Sequence, residues 1–201
     1  MIGIINYGVG NIQSIQNIIN HVGGKCRILY SADEIKYVEK LILPGVGSFD
    51  HGMEGLIKGN WVEPLNEYVC QGKTILGICL GMQLMCNCSE EGKLKGLGWI
   101  DGFVQKFDFD SKSNLKIPHM GWSNLIIKNN SDLFSINDQH RFYFVHSYHV
   151  VCREDSIETS SVNYGTEITT SFQKANIYGV QFHPEKSHKF GKELFKKFIS
   201  I

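Results

Sequence analysis

At 201 residues, 42% hydrophobic and 20% charged, the chain has the size and balance of one substantial globular core, which excludes a disordered or low-complexity protein. Lys plus Arg and Asp plus Glu are equal at 20 each. No global field therefore draws the chain to nucleic acid or anionic lipid, and the expected ligand is a small molecule or a protein.

The start, MIGIINYG, has no basic flank, and no stretch approaches the ~18 apolar residues of a membrane span. The expectation is a cytosolic protein with one domain over residues 1–201. Its six cysteines, at 26, 70, 79, 86, 88 and 152, form no CxxC pair in a chain too large to depend on disulfides, so reduced thiols are expected. The pair in CNC at 86–88 is spaced too closely for a typical metal clamp and has no second cluster to answer it, so no metal or other cofactor is expected.

In chain order, the first half alternates. IGIIN is a short β-branched run, and Ile12, Ile15, Ile18, Ile19 and Val22 then fall at helical spacing until Gly23 and Gly24. CRILY predicts a second strand, DEIKYVEK a short helix and LIL a third strand ending at Pro44. Helical pieces follow over 49–58 and 62–70, then TILGI as a fourth buried strand and LGMQLMCNC as the start of a helix. Strand and helix in turn give an α/β fold with an open, twisted, mostly parallel sheet covered by helices on both faces. From about Gly96 the pattern changes to short aromatic β segments (GWIDGFVQKF, RFYFVHSYHVV, SVNYG, EITTSF and IYGVQF), which predict antiparallel strands extending that sheet. The amphipathic HKFGKELFKKFI closes the chain as a helix.

Cys79 sits where the fourth strand meets its helix, between Gly77 and Gly81. This is a G-x-nucleophile-x-G arrangement: a sharp turn exposes the central side chain, and the following N–H groups point at any anion formed there. A helix N-terminus also favours the thiolate. Read alone, the stretch fits a small buried core cysteine equally well. A nucleophile needs a base and the base an orienting group, and in QFHPEKS the carboxylate of Glu185 lies two residues beyond His183, on the same side of an extended segment stiffened by Pro184. NYGVGN lacks the third glycine of a dinucleotide fingerprint, offering Gln13 instead. LPGVGSF could bring a backbone N–H toward Cys79, or be an ordinary tight loop.

Together, GICLGMQ, QFHPEKS, LPGVGSF and VHSYHV resemble the class I (triad) glutamine amidotransferases over nearly the whole chain. NYGVGN, PHMGW and HPEKS are similar to the branch that serves as glutaminase subunits of imidazole glycerol phosphate synthase. The resemblance implies a flavodoxin-like fold, a Cys79–His183–Glu185 triad, and an oxyanion hole from Leu80 with the backbone of Val46 and Gly47. It implies that Gln83, Glu91 and Ser147 hold glutamine, Glu91 at the α-ammonium group. It places Asn11, Trp122, Tyr143 and Lys186 against a (β/α)8-barrel cyclase in a heterodimer, which uses the ammonia to make imidazole glycerol phosphate and aminoimidazole carboxamide ribotide in histidine biosynthesis. Ser123 stands where the family usually has asparagine, and Gln13 where arginine is common. Two alternatives stay open: a paralogue supplying ammonia for a nitrogen-bearing surface sugar, and a cysteine hydrolase or peptidase on a related fold. A non-catalytic scaffold is disfavoured, since decay of function has no reason to spare all three triad residues.

Overall fold

The computed structural model describes residues 1–109, 114–136 and 139–201. The apolar runs of the first half become β1 (Ile2–Ile5), α1 (Ile12–His21), β2 (Cys26–Leu29), β3 (Lys40–Leu43), α2 (Phe49–Lys58), α3 (Val62–Cys70), β4 (Thr74–Ile78) and α4 (Leu80–Leu84). The second half gives β5 (Cys88–Ser89), β6 (Gly102–Lys106), β7 (His119–Asn124), β8 (Ile126–Ile127), β9 (Arg141–His146), β10 (Tyr148–Cys152), β11 (Glu158–Tyr164), β12 (Thr166–Lys174), β13 (Ile177–Val180) and α5 (His188–Ser200). The main sheet runs β2-β1-β3-β4-β13-β12-β10-β6-β5. Its first five strands are all parallel, whereas β12, β10 and β6 follow in antiparallel pairs. The expected parallel sheet with an antiparallel extension is present.

Side-chain alternation assigns the two faces. Ile2, Ile4, Ile42, Leu76 and Ile78 point to one side, where Ile15 and Ile19 of α1 and Leu194, Phe195 and Phe198 of α5 cover them. Ile5, Leu41, Leu43 and Ile75 point to the other, under Phe49, Met53 and Leu56 of α2, Leu65 of α3 and Leu80 of α4. Each fully buried aliphatic side chain contributes about 1.5–3 kcal/mol of transfer free energy, so both layers hold the strand ends firmly in place.

Several elements depart from the sequence reading. Residues 32–37 form a 3-10 helix instead, opened by a Ser31/Glu34 capping box and tightened by bonds that run three residues back at both ends, Glu34 N–H to Ser31 and Val38 N–H to Ile35. Helix α4 stops after Leu84 because residues 97–100 supply N–H groups to the carbonyls of Leu84, Met85 and Cys86. The run RFYFVHSYHVV breaks at Ser147: β10 stays in the main sheet, while β9 pairs with β7 in a separate two-stranded ribbon.

Candidate active site

The carboxyl ends of β3, β4 and β13 converge on one cleft, as expected of an open parallel sheet. Cys79 follows β4 directly and adopts φ 54°, ψ −109°, a backbone state that costs a non-glycine residue on the order of 1–3 kcal/mol and that the surrounding packing must enforce. That packing is backbone on backbone. A Cβ at Gly81 would lie 1.9 Å from the Leu43 carbonyl oxygen, and one at Gly77 would lie 2.8 Å from Gly81. Leu80 opens α4, so its N–H has no acceptor within the helix.

Beside it runs the loop after β3. Gly47 takes φ +100°, and Val46 and Gly47 are exposed on the cleft rim while Pro44 and Gly45 are buried beneath them. The Tyr7 hydroxyl donates to the Pro44 carbonyl at 2.6 Å. Burial, and then the neighbouring Cys79 charge, hold this phenol well above its ordinary pKa, so it remains a donor. The loop NYGVGN is thereby a brace for the loop LPGVGSF.

On the other side, β13 lies parallel to β4 with Val180 opposite Ile78, and the Cys79 N–H donates to the Val180 carbonyl at 2.8 Å. Three residues further on, His183 Nδ1 meets Glu185 Oε1 at 2.8 Å, both side chains being 1% exposed. Pro184 opens a 3-10 turn over Pro184–Lys186, so Glu185 is folded under the ring instead of lying along an extended strand. Ser187 pins this segment to β9: its hydroxyl donates to the His183 carbonyl (2.6 Å) and accepts from the Tyr143 N–H (3.0 Å). Burial opposes charge on the His183 ring, but the neighbouring Cys79 sulfur and the Glu185 carboxylate outweigh it and hold the imidazole up to about 10. Nε2 itself closes no hydrogen bond among the described residues.

The cleft encloses about 500 Å³ and brings together Val46, Gly47, Cys79, Leu80, Gln83, Glu91, Ser147, His183 and Lys186. One Glu91 oxygen accepts from the Phe49 N–H at 2.8 Å, so the first turn of α2 anchors the carboxylate at the wall. Trp122, Tyr143 and Asn11 do not line the cleft. Trp122 stands outside it, stacked on His188 and edge-on to Tyr143, and Lys186 Nζ lies 5.9 Å above the Tyr143 ring. Asn11 precedes α1, next to Gly10, whose added Cβ would touch Pro44 at 3.1 Å. Gln13 is exposed and bonded to Gln16 and Asn17. Among the described residues, no group of three or more His, Cys, Asp or Glu is placed to hold a metal, and no helix is long and apolar enough to cross a membrane.

Sequence reasoning passed over Tyr7, Ser187 and Gln181, and also a buried histidine pair. Gln181 is wholly buried and donates to the Cys79 sulfur at 3.7 Å. An amide closing an apolar strand two residues before His183 was its only signal. His119 and His146, cross-strand partners in the β7–β9 ribbon, are 3.0 Å apart from Nδ1 to Nε2. His146 Nδ1 must donate to the Tyr148 carbonyl (2.8 Å), which makes its Nε2 the acceptor of the His119 Nδ1–H and leaves His119 Nε2 to accept from the Ser123 hydroxyl (3.0 Å). Burial lowers His119 to about 4 and His146 to about 3, so both rings are neutral. Ser123 thus has a defined task as the outermost donor.

The chain belongs to the class-I glutamine amidotransferases: the sequence model of the family described as Glutamine amidotransferase class-I matches residues 3–201. Within it, the chain is 50% identical to imidazole glycerol phosphate synthase subunit HisH 2 of Methanococcus maripaludis, covering 99% of this chain and 98% of the relative. It is 46% identical to the protein of the same name from Pseudomonas aeruginosa, and 42% to imidazole glycerol phosphate synthase subunit HisH of Leptospira interrogans, each over the full length of both chains. The fold is shared with a chain of PurLQS from Thermotoga maritima (TM-score 0.73, 18% identity, 99% of this chain and 97% of that one). It is also shared with the glutaminase domain of Trypanosoma brucei CTPS (TM-score 0.66, 16% identity, 98% and 91%).

Proposed function

We propose that this chain is the glutaminase subunit of an imidazole glycerol phosphate synthase, its 201 residues forming one amidotransferase domain in the cytosol, with no cofactor. The observation that carries the chemistry is the buried His183–Glu185 pair, charged and set against Cys79 at the base of a glutamine-sized cleft. In this reading the Cys79 thiolate attacks the side-chain amide carbon of glutamine. The N–H of Leu80, with the backbone at Val46 and Gly47, stabilises the oxyanion, each donor contributing roughly 3–4 kcal/mol. A C–S bond forms, the C–N bond breaks, and ammonia leaves with a proton from His183. Water activated by the same ring then cleaves the thioester to glutamate and restores the thiol.

Gln83 and Ser147 position the substrate, and the Glu91 carboxylate meets its α-ammonium group. Ammonia freed into neutral water becomes ammonium and loses its nucleophilicity, so the product must pass directly to an acceptor enzyme. The partner is a (β/α)8-barrel cyclase bound as a heterodimer over Asn11, Trp122, Tyr143 and Lys186, using ammonia to build imidazole glycerol phosphate and aminoimidazole carboxamide ribotide. The exposed aromatic and cationic side chains beside the cleft mouth support that placement, and the names of the relatives favour the histidine pathway over a surface-sugar paralogue. Affinity purification from the native cell tests it: a barrel cyclase should co-purify and support glutamine-dependent synthesis, and recovery of a sugar-modifying enzyme instead would overturn the pathway assignment.

A further inference from the structure

One carbonyl fixes the polarity of two buried amides. The Tyr148 oxygen can only accept, so Gln83 must turn Nε2 toward it (3.1 Å), and the same nitrogen also reaches Gln181 Oε1 (3.0 Å). With its oxygen engaged, Gln181 directs its own Nε2 at the Cys79 sulfur. The main chains on either side are equally constrained, since the Gln181 N–H donates to the Thr170 carbonyl at 2.8 Å and the Cys79 N–H to Val180. Register puts Gln181 one residue beyond Val180 and Cys79 one beyond its partner Ile78, so the two side chains leave adjacent strands at the same level. Packing alone would be served by leucine at a fully buried strand end. Two amides there are stable only because both ends of the bridge are engaged.

We infer that Gln181 is a positioning residue for the reaction: its amide N–H holds the Cys79 sulfur in place and favours its thiolate, and Gln83 sets which end of that amide faces the sulfur. This rests on Cys79 being the nucleophile. It also gives Gln83 a task that precedes substrate, because the nitrogen of its amide is committed to the protein before any ligand arrives. The other titratable groups around the sulfur are His183 at the end of β13, Tyr7 beneath the neighbouring loop, His146 in the ribbon, and Glu91 and Lys186 along the cleft. None of them contacts Gln181 Nε2 by a hydrogen bond among the described residues.

The test follows iodoacetamide alkylation of Cys79 by mass spectrometry across pH, alongside glutamine turnover, in the full chain carrying Gln181→Met or Gln181→Glu. Both variants should alkylate about tenfold more slowly at neutral pH, with the rate profile displaced to higher pH, kcat lowered by a similar factor and KM for glutamine within about twofold. A merely structural role would lower the melting temperature and leave that profile in place, and a wild-type profile in either folded variant overturns the inference. Should neither variant fold, the wild-type protein decides. The side-chain amide resonances of Gln181 should then shift with the midpoint of Cys79 alkylation and stay still in Cys79→Ser, whereas resonances indifferent to that midpoint refute the contact. Alkylation of Cys79 that left glutamine hydrolysis intact would sink the nucleophile reading itself, a result distinct from a failure of Gln181 alone.

Discussion

His183 and the His119–His146 pair are comparably buried, yet their rings are in opposite states. His183 lies between the Cys79 sulfur and the Glu185 carboxylate, and those two neighbours overcome desolvation and hold it protonated to about 10. His119 is stacked between Phe144 and Tyr164, at 4.8 and 4.1 Å between ring centroids, with no carboxylate in hydrogen-bond contact among the described residues, and desolvation goes unopposed. Depth of burial therefore does not decide whether a histidine is charged. What shares its cavity does, and here the difference separates a charged ring from a neutral pair whose inner member, His146, holds the Tyr148 carbonyl in place.

The sharpest way to break the comparison is to remove the charge beside His183. Cys79→Ala should lower glutamine-dependent synthesis by roughly 10³-fold or more while the partnered synthase still accepts ammonium salts, and His183→Ala should be about as damaging. Normal glutamine use by the Cys79→Ala complex would refute the triad.

The next effect concerns stability and has opposite signs for the two regions. The folded pKa of His119 lies below its unfolded value, so its contribution is complete above about pH 6.5 and is lost as pH falls toward 4, on the order of 3 kcal/mol. His183 has a raised folded value, so its contribution is complete below about pH 6.5 and fades as pH rises through about 10. Urea unfolding across pH should find His119→Phe flattening the acid limb and His183→Ala the alkaline one. An acid limb unchanged in a folded His119→Phe protein would contradict the neutral pair.

Glu185→Gln should keep measurable activity, roughly a hundredfold below wild type, because a neutral amide still orients the ring but no longer favours its charge. Steady-state turnover reads this directly. The smallest effect is expected at the rim: Lys186→Glu should leave the melting temperature unchanged and weaken cyclase binding by about tenfold, roughly 1.4 kcal/mol. An affinity within twofold of wild type by titration calorimetry would remove Lys186 from the interface.

What could be read from the residues was whatever is local in sequence. The Cys79 turn announced itself through Gly77 and Gly81, and both are glycine because a Cβ at either would collide with backbone. His183 and Glu185 were legible as a pair two residues apart, although the 3-10 turn that folds one under the other was not. The Gln181 contact spans 102 positions and the His119–His146 contact 27. Both exist only once strands are paired, and no local pattern encodes pairing across such distances. The β7–β9 ribbon escaped for a related reason: HMGWSN has no apolar alternation of its own, and its register is set by Phe142, Phe144 and His146 turning inward from β9.

The direction of the histidine pair has a consequence for proton traffic. Every bond in the series from Ser123 through His119 and His146 points the same way and terminates on the Tyr148 carbonyl, which also accepts from Gln83. A carbonyl that receives two donors has no proton to pass on, so this series holds the Tyr148 backbone in place and ends there, one amide away from the Gln83–Gln181 bridge to the sulfur.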